Sequence, residues 1–196
     1  MIRLNWHWQE IGEWEAPLTA RFNRAGRFRS VLGGFRLVSR LGDGVFWYVL
    51  MLTLLAAYGL AALPAVLNMV LAGLAATLIY KWLKKTTLRP RPCHQFGQIV
   101  CLTAPLDRFS FPSGHTLHAV AFSLVVIQYY PALAWLVLPF SALVAVSRLV
   151  LGLHYPTDVL AGIALGGWWH WCRWWWCRAC KIVGQKVRRE LPVPSP

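Results

Sequence analysis

Apolar residues along this chain come in long runs, separated by short polar breaks. One run extends from about Val45 to Leu63 and a second from about Val66 to Leu83, with Pro64 marking a tight hairpin between them. Three more follow, at about Ser113–Tyr130, Pro131–Leu151 and Thr157–Trp176. Each approaches the ~20 residues that a helix needs to cross the hydrocarbon core of a bilayer. The pattern predicts an all-α fold: a polytopic transmembrane helical bundle of about five spans. No internal repeat accompanies it.

The segment before these runs differs in kind. Residues 1–43 are rich in Trp and Arg, and Leu18–Leu41 sets Phe22, Phe28, Phe35 and Leu37 among Arg21, Arg24, Arg27, Arg29, Arg36 and Arg40. That mixture predicts one or two amphipathic helices lying on a membrane surface; the alternative is a partly disordered basic tail. It contains no apolar core of signal-peptide length, so the first span is expected to direct insertion. The organisation is therefore an interfacial segment (1–43), a transmembrane domain (44–177) and a basic tail (178–196).

Composition supports a lipid setting. The chain is 57% hydrophobic and 14% charged, with a mean hydropathy of +0.47, against roughly 25% charged residues in soluble domains. Its net charge of +13 would suggest nucleic acid in a soluble protein. Here the basic residues flank apolar runs, so the expected partners are membrane lipids and a phosphorylated lipid substrate, with no nucleic acid. Nothing in the sequence indicates an oligomeric state.

Polar residues that lipid would exclude gather in three places. Lys84 to Pro92, with Arg89 and Arg91, ends the second run; Pro112-Ser113-Gly114-His115 opens the third; Ser147-Arg148, His154 and Asp158 bridge the fourth and fifth. Alternating span direction delivers all three to one membrane face. Ionisable residues at such a boundary are costly unless they serve a function. Lys84, Arg91 and Arg148 suit a tetrahedral anion, and Ser113 and Gly114 stand where free helix N–H groups would bind one. Asp158, four residues beyond His154, can orient its imidazole, which leaves His115 as general acid. Individually these residues have simpler readings: Lys84 as an interfacial anchor, Pro-Ser-Gly as a helix start, His154 as a loop histidine. Their convergence favours an anion site.

Lys84-x6-Arg91-Pro92, Pro112-Ser113-Gly114-His115 and Ser147-Arg148-x5-His154-x3-Asp158 together resemble the three-part signature of the type 2 phosphatidic acid phosphatase family, including compact bacterial members that resemble undecaprenyl-diphosphate phosphatases. The resemblance implies that His154 attacks phosphorus to form a phosphohistidine, Asp158 orients it and His115 protonates the leaving group. It further implies that Lys84, Arg91, Ser113, Gly114 and Arg148 hold the phosphoryl oxygens, with no metal or other cofactor. Arg89 is not a specified position, but is close enough to help bind a second phosphate. Many members have six spans, where five are counted here.

The expected function is hydrolysis of a lipid phosphate or diphosphate. Polyprenyl diphosphate is slightly favoured over phosphatidic acid, phosphatidylglycerophosphate and a lipid A phosphate. A lipid phosphotransferase using the same intermediate, or a non-catalytic lipid-binding protein, is the alternative. The basic tail after Trp176 favours a cytoplasmic C-terminus, which in a five-span chain puts the site on the outer, periplasmic face of the cell inner membrane; the N-terminal arginines argue the other way. Cys93 and Cys101 lie on the catalytic face and could pair if that face is oxidising. His118, one helical turn beyond His115, reads as a packing residue or a support for the site rather than a catalyst. His170, Cys172, Cys177 and Cys180 resemble a zinc set, but their irregular spacing among tryptophans fits an aromatic belt better.

Overall fold

The computed structural model describes residues 8–105 and 107–168. The expected zinc-like cluster and the basic tail lie outside the described residues. Among the described residues every regular element is a helix, with no strand. Helix α1 (Trp8–Ala25) and α2 (Arg29–Arg40) precede a π turn at Leu41–Val45 that leads into α3 (Phe46–Tyr58). A 3₁₀ turn at Gly59–Ala62 reverses the chain into α4 (Leu63–Thr87). Pro64 sits in the first turn of α4, where a missing N–H costs nothing. A long polar connection contains only α5 (Pro92–Gln95). Then come α6 (Gly114–Tyr129), α7 (Ala134–Val150) and α8, described over 156–168.

α4 packs on α6 and α6 on α7. Small residues permit the close approach: Ala65, Ala72 and Ala76 lie along the buried face of α4, with Met69 filling the space between them. Ser123 of α6 and Ser141 of α7 share a 2.7 Å hydrogen bond, the polar link favoured where water is scarce. Trp47, Met51, Met69, Phe122, Val126 and Val144 belong to the core. Opposite that core, Leu52, Leu60, Leu67, Leu71, Leu74 and Leu78 are exposed, an apolar exterior suited to lipid.

By length and composition, two stretches among the described residues can cross a membrane: Arg29–Gln95, a run of helices folded back at Gly59–Ala62, and Pro131–Val150. α6, at 16 residues, is shorter than the ~20 of a full span. The five-span count thus exceeds what length and hydropathy alone deliver.

The N-terminal helices form, and they pack against the bundle. α1 rests on α5 and α7, and α2 on α7. Asn23 staples α1 in place: its amide donates to the carbonyls of Val100 (2.9 Å) and Val150 (3.0 Å) and accepts from the Val100 N–H (2.9 Å). These contacts bury carbonyls that the loop and the end of α7 would otherwise leave unpaired.

Candidate active site

The three polar segments meet at one end of the bundle. Lys84, Arg91, Gly114, His115, Arg148 and His154 line a single cavity of about 970 Å³. Its far wall is apolar, with Met51, Met69 and Phe122. The last turns of α4 and α7 supply Lys84 and Arg148, and α6 starts with Gly114 and His115. His154 arrives by the turn after α7. That turn needs Gly152, at φ 72°: a Cβ there would lie 2.5 Å from the Val100 carbonyl oxygen and 2.9 Å from Asn23 Nδ2.

His154 is 2% exposed. Its Nε2 is 3.4 Å from Arg91 Nη1, and its Nδ1 is 3.5 Å from Asp158 Oδ2 without a well-aligned hydrogen bond. Burial, then the charges of Arg91, Lys84 and Arg148, hold its pKa well below 6.5. The imidazole is therefore neutral at pH 7, with a lone pair available. Asp158 is fully buried behind it: Oδ2 accepts the Tyr155 N–H at 2.9 Å, and Oδ1 faces Arg89 Nη1 at 2.7 Å.

The cations are held by groups that spacing did not single out. Asp107 bridges Lys84 (2.8 Å) and Arg91 (2.6 Å). Burial alone would raise the Asp107 carboxyl, but hydrogen bonds and charge from Lys84 and Arg91 prevail and lower it. Arg91 also donates to the carbonyls of Asp107 and Leu153; its own pKa is lowered by burial against the pull of Asp107. Arg148 donates to the Ser39 hydroxyl, and His115 Nε2 meets the Asp43 carboxylate.

Ser113 is at the cavity edge but not in its lining. Its hydroxyl pairs with Thr116 Oγ1 at 2.9 Å, and its N–H donates to the Asp158 carbonyl at 3.0 Å. Both groups of Ser113 are thus engaged within the protein, and the N–H groups of the first turn of α6 are the ones without an intrahelical acceptor. Arg89 departs from expectation. It is 0% exposed, paired with Asp158 and Glu15, and takes no part in the cavity lining. With both Nη atoms engaged by carboxylates and no exposed surface, it is not placed to bind a second phosphate in the cavity. His118 lines the cavity as well, with its ring hydrogen-bonded to the Gly114 carbonyl (2.8 Å) and Thr77 (3.1 Å).

Sequence reasoning missed Glu15, Asp43 and Asp107. One signal was available: the chain has seven carboxylates against twenty Lys and Arg, so each acidic residue was worth asking about. Cys93 and Cys101 are disulfide-bonded, with Cα atoms 5.2 Å apart.

Comparison with known proteins places these features in a family. The PAP2 superfamily matches residues 61–181. The chain is 39% identical over 144 residues to the decaprenylphosphoryl-5-phosphoribose phosphatase of Mycolicibacterium smegmatis, covering 70% of this chain and 74% of that one. Its fold is similar to the crystal structure of Aquifex aeolicus LpxE, with a TM-score of 0.67 at 24% identity, over 78% of this chain and 90% of that one. It is also similar to a transmembrane PAP2 type phosphatidylglycerolphosphate phosphatase of Bacillus subtilis, with a TM-score of 0.59 at 26% identity, over 81% and 80% of the two chains. With more than half its length matched by the family model, the chain belongs to the PAP2 superfamily of membrane phosphatases.

Proposed function

We propose that this protein hydrolyses a lipid phosphate or diphosphate through a phosphohistidine on His154. The observation that carries the reading is the setting of His154: a neutral, buried imidazole with one nitrogen toward Asp158 and the other toward Arg91 in a cationic cavity. The Nε2 lone pair attacks phosphorus as the bond to the lipid oxygen breaks. His115 gives its proton to that oxygen, then takes one from the water that cleaves the phosphorus–nitrogen bond. Ser113 holds the start of α6 in place through Thr116 and the Asp158 carbonyl, while Lys84, Arg91, Arg148 and the first-turn N–H groups of α6, from Gly114 on, stabilise the charge on the equatorial oxygens. That is the task of metal ions in many phosphoryl-transfer sites, so turnover is expected to be metal-independent.

A polyprenyl-linked phosphate is the favoured substrate, supported by the decaprenylphosphoryl relative. The apolar wall of the cavity gives the first part of a lipid chain a place to lie. We further infer five spans, formed by α3, α4, α6, α7 and the segment that begins with α8, with residues 1–43 at the catalytic end and 178–196 as a basic tail. The site then faces the outer side of the inner membrane, a reading that the Cys93–Cys101 disulfide supports, since such bonds persist in oxidising compartments.

The test is an assay of purified protein in detergent against a panel of lipid mono- and diphosphates. Phosphate release should persist in EDTA, be blocked by vanadate and vanish in His154→Ala. Loss of activity in EDTA, or turnover by His154→Ala, would overturn the mechanism.

A further inference from the structure

Behind the proposed nucleophile lies a buried charge chain that begins outside the family match. Glu15 belongs to α1, whereas the match starts at residue 61. Its Oε1 accepts the Thr157 N–H at 2.7 Å; its Oε2 accepts the Thr157 hydroxyl at 2.9 Å and Arg89 Nη2 at 2.5 Å. Arg89 Nη1 donates in turn to Thr157 Oγ1 and to Asp158 Oδ1, both at 2.7 Å. The guanidinium lies 4.1 Å from the Tyr155 ring centre and 4.8 Å from that of Trp8. Every group in this chain sits beneath His154 rather than in the cavity.

We infer that Glu15, acting through Arg89, is a positioning residue for the Asp158–His154 pair; this rests on the reading of His154 as nucleophile. Two physical effects follow from the geometry. First, Arg89 is one buried cation between two carboxylates. If Glu15 were removed, its whole charge would fall on Asp158, drawing that carboxylate away from His154 and weakening the field that stabilises a developing imidazolium. Second, Glu15 grips Thr157 through both N–H and hydroxyl at the start of α8, where a carboxylate complements free N–H groups. That grip sets the position of Asp158, the next residue. The N-terminal helix thus contributes to the reaction centre, in addition to any contact with the membrane surface.

The experiment compares full-length wild type, Glu15→Gln, Glu15→Asp, Arg89→Lys and His154→Ala in detergent. It records kcat, KM and the thermal midpoint with one lipid phosphate. Glu15→Gln should lower kcat ten- to a hundredfold while KM stays within twofold, because the cations facing the phosphate are untouched. Glu15→Asp, which keeps the charge and loses reach, should recover part of kcat, and Arg89→Lys should resemble Glu15→Gln. A merely structural role would lower the thermal midpoint, or raise KM, without this split. Wild-type kcat in Glu15→Gln, with His154→Ala inactive, would overturn the positioning role alone. Turnover by His154→Ala would overturn the nucleophile and the positioning role together. Should Glu15→Gln fail to fold, Glu15→Asp with wild-type kcat is the overturning result.

Discussion

Both carboxylate oxygens of Asp107 lie 2.8 Å from Lys84 Nζ, so an internal anion occupies one of the cations proposed to hold the substrate phosphate. Arg91 Nη2 reaches the same carboxylate at 2.6 Å. Asp107 is partly exposed, at 38%. Asp107→Asn removes this competitor. Ion pairs of such exposure are worth about 0.5–1 kcal/mol, so KM and the vanadate inhibition constant should each fall about two- to fivefold. Steady-state kinetics and vanadate titration check this; a raised KM would show that Asp107 helps to bind substrate instead.

The pH dependence follows from His154. Its pKa in the folded protein is well below 6.5, chiefly through burial. The unfolded chain therefore takes up the proton first as pH falls. This group's contribution to stability is fully present above about pH 6.5 and is lost from there down toward the folded value. The acid limb of kcat/KM, which reports the free enzyme, should for the same reason lie well below pH 6.5. A kcat/KM profile from pH 5 to 8, with thermal midpoints over the same range, tests both. An acid limb at pH 6.5 or above would mean that His154 is not held neutral by its surroundings.

Gly162 and Gly166 let α8 approach α6 at the signature itself. A Cβ on Gly162 would stand 2.8 Å from the Ser113 carbonyl oxygen, and one on Gly166 2.8 Å from that of Leu117. Gly162→Val should force α8 outward, carrying Asp158 with it, at a cost of about 1–3 kcal/mol for overpacking. The thermal midpoint and kcat should both drop. Gly167→Ala, where a Cβ meets nothing within 4 Å, should leave both unchanged.

The Cys93–Cys101 bond closes a short loop, with a sequence separation of 8, immediately after Arg91 and Pro92. Chain entropy assigns such a closure about 2–3 kcal/mol. Reduction, or Cys93→Ser with Cys101→Ser, should lower the thermal midpoint while His154→Ala remains as inactive as before. Maleimide labelling of intact and permeabilised cells after reduction reports which side of the membrane the loop faces. Thiols reached only from the cytoplasm would reverse the outward assignment.

Much of this protein was legible in its sequence because its two strongest constraints are local. The helices are set by runs of apolar residues, and the hairpin by Pro64 inside the first turn of α4. The convergence of Lys84, Arg91, His115, Arg148 and His154 follows from chain direction: helices that alternate must return their connections to the same end. The number of spans was less accessible, since α6 is short for a bilayer and hydropathy cannot say how a helix tilts or packs.

What the sequence determined by itself was the helical class, the family signature and the end of the bundle at which its residues meet. Tertiary structure decided which charge faces which. Arg89 and Arg91 are two residues apart with the same chemistry, yet Arg91 lines the cavity beside His154 while Arg89 is sealed beneath it between Glu15 and Asp158. Glu15 and Asp158 are 143 positions apart, and no periodicity relates them. Their meeting depends on α1 folding back over α5 and α7, because a buried guanidinium keeps its charge only where carboxylates from distant parts of the chain are brought to it.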